Sequence, residues 1–482
     1  MNILFVTAEA VPFAKTGGLA DVVGSLPQSL RAAGVNARVI MPLYAVIDQS
    51  RYQIEPLFSF PFHRPTGTTD VHVYHTEHQG VPFYFIQGWP YFGLEAQVYD
   101  GWGLDVPRFI FFNQVVMAAM WELKQREGWF PDIFHTHDWH TGLLPFLLQQ
   151  SRNQPGWEKA RSIMTIHNLA YQGNNAGGWL WEQGIPARTQ PDLVYQNHTD
   201  NLLGIGLAYA DGISTVSPRY AVEIQYPDMG YGLDGLIGAR KDKLYGILNG
   251  IDVQQWDPAT DPYITQNYDA ETFITQRPPN KAQLQAQTGL SVDPDIPLIG
   301  IVSRLDSQKG IDVAIPALRE LLQQDKVQFV ALGSGDPQLA HALTQLAQDF
   351  PHQVRVHITF DIALAQRIYA GCDLFLMPSN YEPCGIGQMM AMRYGALPLV
   401  RETGGLADTV HNYDNADGAS GTGFVYQWNT SNALFHTLRW AIASYREKPA
   451  AWQRMQARAM RIDFSWAKSA HEYIRLYQSL HG

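Results

Sequence analysis

Cysteine is nearly absent from this chain: Cys372 and Cys384 are the only two in 482 residues. Two thiols cannot build a disulfide framework, and a reducing cytosol is the simpler setting for them. Charge is also scarce, at 16% Asp, Glu, Lys and Arg, and the formal balance is negative at -11. A surface of that sign argues against nucleic acid or an anionic membrane as the main partner, so any phosphate must be met by a local group of cations. No apolar run reaches the roughly 20 residues of a membrane span. In the opening MNILFVTAEAVPFAKTGG, no basic leader is present and Glu9 interrupts the run. These features predict a soluble, cytoplasmic protein that begins with a buried strand. Low-complexity tracts and repeats of solenoid length are missing too.

What is present is apolar and aromatic, 46% and 12% of the residues, as in a well-packed globular protein. The length exceeds what one core supports and points to two domains. Short β-branched runs alternate with longer amphipathic stretches, the rhythm of an α/β fold with parallel sheets. Strands are predicted over 3–7, 37–41, 83–87, 132–136, 162–167, 212–217 and 244–248, then over 298–303, 328–332, 354–360, 374–378 and 397–400. A Pro-, Asn- and Asp-rich stretch over 261–295 reads as a linker. The predicted division is a first domain over 1–248, a second over 249–460, and a terminal segment over 461–482 that packs back on the first. Two doubly wound sheets place their binding loops at the carboxyl ends of their strands, so facing domains would enclose one cleft.

Several segments at predicted strand ends carry groups able to do chemistry. Lys15-Thr16-Gly17-Gly18-Leu19 follows the first strand and opens a helix. Free helix-terminal amides and a lysine ammonium favour an anion such as phosphate, although a glycine turn with a solvated lysine fits the same string. Ser303-Arg304-Leu305-Asp306-Ser307-Gln308-Lys309-Gly310 occupies the equivalent place in the second half. Arginine can hold a diphosphate with two parallel hydrogen bonds and Lys309 adds a point charge; a surface ion-pair loop is the alternative. Glu382, in Ser379-Asn380-Tyr381-Glu382-Pro383-Cys384-Gly385, could bind sugar hydroxyls or stabilise positive charge, or could cap the next helix. Thr403-Gly404-Gly405-Leu406-Ala407-Asp408 repeats the first glycine run, which pictures two such loops facing each other around phosphates.

His135-Thr136-His137-Asp138-Trp139-His140 comes near the HxHxDH string of binuclear metal hydrolases, but the aspartate is one place early for zinc. A strand-end cluster for carbohydrate is the competing reading, with Trp139 as a face for a sugar ring. His167 ends another buried strand, where it could orient a hydroxyl or be a satisfied core histidine. Asp293-Pro294-Asp295 is nominally a DxD metal pair, but its Pro-rich setting reads as a solvated turn.

The set KTGGLADV, HTHDWH, TIHNLAYQG, ADGISTVSP, YGLDGL, LNGID, SRLDSQKG, EPCG and RETGGLADTV, in this order, resembles the bacterial-type glycogen and starch synthase family from the first strand to Asp463-Phe464-Ser465-Trp466. The resemblance implies a GT-B-type glycosyltransferase of two Rossmann-like doubly wound domains facing a central cleft. It implies transfer of glucose from ADP-glucose to an α-1,4-glucan or maltooligosaccharide with retention, and with no metal or cofactor. By the same resemblance His167, Glu382, Arg304 and Lys309 are catalytic. Lys15, Gly18, Asn249, Phe360, Cys384, Thr403, Gly404, Gly405 and Leu406 join Arg304 and Lys309 around the donor, with Phe360 against adenine. Asp21, Tyr99, Asp138 and Trp139 serve the sugar and the acceptor.

Two positions depart from the family pattern. Gly204 stands where a lysine is usual, and Met390 stands where the wider superfamily has a second glutamate. Gly204 motivates a second expectation, a weakly catalytic priming relative; a UDP-glucose-preferring synthase is a third.

Overall fold

The structure is a computed structural model and describes residues 1–95 and 97–481. Two compact units divide it, one formed by Met1–Gly250 with the helix Trp466–His481, the other by Ile251–Ser465.

Among the described residues, the first unit holds a nine-stranded sheet. Its strands are β1 (Asn2–Val6), β2 (Asn36–Pro42), β3 (Glu55–Arg64), β4 (Gly67–His78), β5 (Val81–Gln87), β6 (Ile133–His137), β7 (Arg161–Ile166), β8 (Gly212–Thr215) and β9 (Leu244–Gly246), in the order β3-β4-β5-β2-β1-β6-β7-β8-β9. All pairings from β5 to β9 are parallel, and β3 and β4 add an antiparallel edge. From β1 the chain first builds outward through β2 and later returns to β1's other side as β6. The switch point therefore lies where β1 and β6 end, the place where such sheets bind ligands.

The second unit repeats the scheme with β10 (Leu298–Val302), β11 (Gln328–Gly333), β12 (Val354–Ile358), β13 (Leu374–Met377), β14 (Leu397–Arg401) and β15 (Phe424–Tyr426), ordered β12-β11-β10-β13-β14-β15 and all parallel. Its switch point falls between β10 and β13. Leu298, Ile299, Phe375 and Leu376 are buried, as expected for strands covered on both faces.

The predicted strands are present with ends shifted by at most two residues, and three others escaped prediction. β3 and β4 alternate exposed with covered positions, and Pro56 and Pro61 lie inside β3, which is tolerated at a sheet edge. The three-residue β15 is too short for a periodic signal. The 261–295 stretch is not a linker. It includes the helix Pro278–Gln287, and Asp261 accepts from the Tyr394 hydroxyl at 2.6 Å while Arg277 Nε donates to the Tyr394 carbonyl at 2.8 Å. Part of its polar composition is thus spent on buried hydrogen bonds rather than on solvent.

The terminal helix begins at Trp466, and the residues just before it stay with the second unit, where Ile251 N donates to Phe464 O at 2.8 Å. Asn249 belongs to the first unit rather than opening the second. Trp466, Tyr473, Leu476 and Tyr477 are buried on the first unit. Each such side chain contributes roughly 1.5–3 kcal/mol by leaving water.

Candidate active site

In the first unit the loop after β1 is folded around Glu9. This residue is only 4% exposed, and its carboxylate accepts from the amides of Thr16 and Gly17 and, at 3.0 Å, from the Tyr99 hydroxyl. Burial raises the Glu9 carboxyl above its ordinary value, against the pull of those donors. The carboxylate thereby fixes the glycine pair at the start of the helix Gly18–Ala32. A Cβ on Gly18 would meet nothing within 4 Å, so the helix N-terminus is open on that side. Lys15 is half exposed and pairs at 2.6 Å with Asp21, in the first turn of that helix. Sequence reading took Glu9 only as an interruption of an apolar run; a lone charge directly after a first strand was the signal.

The ends of β6 and β7 are tied together by Asp138, whose Oδ1 accepts from the amides of His167 at 2.7 Å and Asn168 at 3.4 Å. Asp138 has φ 55°, a left-handed conformation that a non-glycine residue adopts at a cost of about 1–3 kcal/mol. Burial pushes its carboxyl up to about 7, although the two amides pull it down. Beside it, His137 Nδ1 and His167 Nε2 share a hydrogen bond of 2.9 Å, while His137 Nε2 is buried without a partner. Burial drives both imidazoles to the neutral form. His135 spends both ring nitrogens, on the Tyr477 hydroxyl at 2.8 Å and on Thr165 Oγ1 at 2.6 Å. Such a histidine is a satisfied core residue. Among the described residues, no group of three or more His, Cys, Asp or Glu is placed to hold a metal ion.

One expectation is corrected here. Trp139 is not a free face for a sugar: it is 8% exposed, packed on His140 at 4.3 Å and edge-on to Phe109 at 5.5 Å. Gly173, with φ 63°, also lies so close that a Cβ would meet the indole at 2.5 Å. The ring is therefore covered by protein. Tyr99 stacks on His140 at 5.0 Å with its hydroxyl on Glu9. Asn249 is buried with its Oδ1 unpartnered among the described residues.

In the second unit three motifs meet at the switch point. Lys309 Nζ lies 2.7 Å from Glu382 Oε2, joining the loop after β10 to the loop after β13. Glu382 is 4% exposed and also accepts from Ser379 Oγ at 2.9 Å. It does not cap the following helix, Gly387–Arg393, which has no side-chain cap. Gly310 (φ 65°) permits the contact between these loops, because a Cβ there would sit 2.1 Å from Pro378 O. Gly404 (φ 44°) does the same for the third motif, with a Cβ only 1.9 Å from Glu382 O, and Gly405 N donates to that carbonyl at 3.1 Å. The run Thr403-Gly404-Gly405-Leu406 thus lies directly on the Glu382-Cys384 turn, with Cys384 buried.

Arg304 is the exposed member of this group. Its side chain is 55% accessible, paired with Asp306 at 2.7 Å and reaching Gln308 Oε1 at 3.3 Å. Arg401, missed in the sequence, braces the loop before Glu382: its Nε donates to Ser379 O at 2.7 Å and its guanidinium also reaches Asn380 O. Phe360 is not gathered into the cluster. It lies beyond the end of the edge strand β12, 81% exposed and with no ring partner among the described residues. The DxD pair is a turn, with Asp295 N donating to Asp293 Oδ1 at 2.9 Å. No helix among the described residues is long and apolar enough to cross a membrane.

Two parallel α/β sheets, each with its polar groups at a switch point, place the protein among the GT-B glycosyltransferases. Residues 2–239 match the family described as the starch synthase catalytic domain, and residues 285–458 match glycosyl transferases group 1. A glycogen synthase from Streptococcus pneumoniae (strain CGSP14) is 43% identical over 484 residues, covering 100% of both chains. The solved catalytic domain of Starch Synthase IV from Arabidopsis thaliana, bound to ADP and acarbose, is 32% identical, with a TM-score of 0.89 over 99% of each chain. A sucrose-phosphate synthase from Thermosynechococcus elongatus, 18% identical, shares the fold with a TM-score of 0.63 over 99% of this chain and 98% of its own. The chain belongs to the glycogen and starch synthase family.

Proposed function

We propose that this glycogen or starch synthase takes its glucose from ADP-glucose and adds it to the non-reducing end of an α-1,4-glucan with retention at the anomeric carbon, using no metal or cofactor. The observation that carries this reading is the Lys309–Glu382 contact of 2.7 Å at the second unit's switch point, with Arg304 on the same loop. In a chain of net charge -11, two cations at one strand end favour a diphosphate. The ADP and acarbose held by the Arabidopsis relative are consistent with it.

In the proposed step the bond from the anomeric carbon to the diphosphate oxygen breaks and its electron pair leaves with ADP. The acceptor hydroxyl oxygen bonds to that carbon on the same face, and its proton passes to the departing phosphate. No side chain becomes covalently attached. Arg304 and Lys309 offset the leaving charge, and most of the rate comes from placement and charge complementarity. Lys15 and the amides around Gly18, Gly404 and Gly405 favour phosphate, and Thr403 and Leu406 lie along the nucleoside. Phe360, exposed as it is, offers a ring to adenine. Glu382 and Cys384 are the second unit's groups suited to glucose hydroxyls, and Asn249 and Asp138 are those of the first unit. His167, held neutral, contacts the transferred sugar, with Asp21 and Tyr99 toward the acceptor.

The test is labelled ADP-glucose or UDP-glucose given to the purified protein with maltotriose as primer. Extension at least tenfold faster from ADP-glucose, with α-linked product by proton NMR, is expected. Faster extension from UDP-glucose overturns the donor assignment, a β-linked product overturns retention, and no extension from either overturns the whole reading.

A further inference from the structure

Two histidines of the first unit touch ring to ring, and one of them alone reaches open space. His137 ends β6 with no exposed surface, whereas His167, directly after β7, is half-buried. The His137 ring is held in its plane by stacking on Phe5, with centroids 5.4 Å apart and planes 17° from parallel, and on His135 at 4.3 Å and 28°. Its backbone is held as well, since Thr141 Oγ1 donates to His137 O at 2.9 Å. The contact joins His137 Nδ1 to His167 Nε2 at 2.9 Å. Of the two remaining nitrogens, His137 Nε2 is buried with no partner among the described residues. His167 Nδ1 makes no hydrogen bond among them either, but it belongs to the residue that still reaches solvent.

Burial keeps both rings neutral, so each carries one proton, and two arrangements leave a hydrogen bond between them. In the first, His167 Nε2 donates to His137 Nδ1, and the proton of His137 must then sit on its own Nε2. That N–H would be buried with nothing to accept it. Phe5 has no acceptor in its side chain, and both ring nitrogens of His135 are already spent on Tyr477 and Thr165. In the second arrangement His137 Nδ1 donates to His167 Nε2, and the bare Nε2 of His137 needs no acceptor. A buried N–H without a partner is a rarer feature of folded proteins than an acceptor without a donor, so the second arrangement is favoured. Its consequence falls on His167. With Nε2 accepting, the single proton of that ring stands on Nδ1, the one nitrogen of the pair that a ligand can meet.

We infer that His137 is a positioning residue: by donating from Nδ1 it confines the proton of His167 to Nδ1, so that His167 meets the transferred sugar as a hydrogen-bond donor and not as an acceptor. The sugar contact rests on the reading of the protein as a glucan synthase, whereas the placement of the proton does not. The test reads the tautomers by nitrogen NMR of protein isotope-labelled at histidine, with the two rings assigned through their contacts with Phe5 and with each other. Wild type is compared with His137→Leu, which has no donor, and with His137→Asn, which restores an N–H near the place of Nδ1. Thermal melts check folding, and transfer from ADP-glucose to maltotriose is measured beside them. In wild type both rings are expected to carry their proton on Nδ1. In His137→Leu the proton of His167 is expected to divide between its two nitrogens and kcat/KM to fall about tenfold, while His137→Asn stays within about threefold of wild type. A proton on His137 Nε2 in wild type overturns the inference, and that result requires no variant to fold. A folded His137→Leu that transfers as fast as wild type, or a folded His137→Asn as slow as His137→Leu, overturns the positioning role. The expected tautomers in a wild type that transfers no glucose would uphold the proton placement while sinking the donor reading.

Discussion

At its switch point the first unit collects His135, His137, His140 and His167 with Asp138 and Glu9, all buried or half-buried and joined by short neutral contacts such as His137 Nδ1 to His167 Nε2. The second unit sets Lys309 against Glu382 and leaves Arg304 half in solvent. The same place in the same topology is thus furnished with neutral rings in one case and with opposed charges in the other. A neutral pocket matches a sugar, whose hydroxyls need partners but no countercharge. Opposed charges match, in the proposed step, a group that arrives charged and leaves more so.

The contrast is broken most directly at Lys309. Lys309→Ala is expected to lower kcat by about 1,000-fold while the KM for glucan stays within about threefold. Equal losses in both would put the lysine in general binding rather than at the leaving group. Glu382→Gln, which keeps the shape of the side chain, is expected to cost about 100-fold in kcat, and activity within a few-fold of wild type would remove that carboxylate from the sugar.

A smaller effect is expected in the neutral half. His167→Ala leaves His137 Nδ1 without its partner, at a cost to stability of about 1–3 kcal/mol, and loss of the proposed neutral sugar contact is expected to lower kcat/KM by roughly 10- to 100-fold, with little dependence on salt. A steep salt dependence would show that the imidazole works as a charge.

The mildest test is acid. Burial pushes His135 and His140 down to about 3, whereas the unfolded chain takes up these protons near 6.5. Between those values the unfolded state binds more protons, so stability falls as pH drops from about 6.5 toward 3. Asp138 acts in the opposite sense. Its folded form keeps a proton up to about 7 while the unfolded form loses it near 3.8, so its contribution is lost as pH rises. The histidines outnumber it, and the urea midpoint at pH 5 is expected below that at pH 7. An unchanged midpoint would mean that these rings are not held neutral by the fold.

Much of this contrast was legible in the sequence, and the part that was not has a physical cause. Strand ends could be read because buried parallel strands are continuous apolar runs, and the glycine and cation motifs followed them directly. The meeting of Lys309 with Glu382 could not be read, since 73 residues separate them and only the strand order β11-β10-β13 brings their loops together. Trp139 looked like a sugar platform because residue type says nothing about which ring is covered, and it is covered by Phe109, His140 and the backbone at Gly173. Glu9 and Arg401 escaped because the bonds by which they hold their loops run to backbone groups, which leave no mark on the pattern of side chains.

The hydroxyl of Tyr477 reaches His135 from a helix that enters the first unit only after the whole second unit has been traversed. During synthesis, therefore, the earlier half must wait on the ribosome without the helix that bonds to His135, while the later half has all of its own strands in hand. The order of completion is the reverse of the order of emergence, and a nascent chain stalled before residue 466 would expose the apolar bed on which Tyr473 and Tyr477 settle.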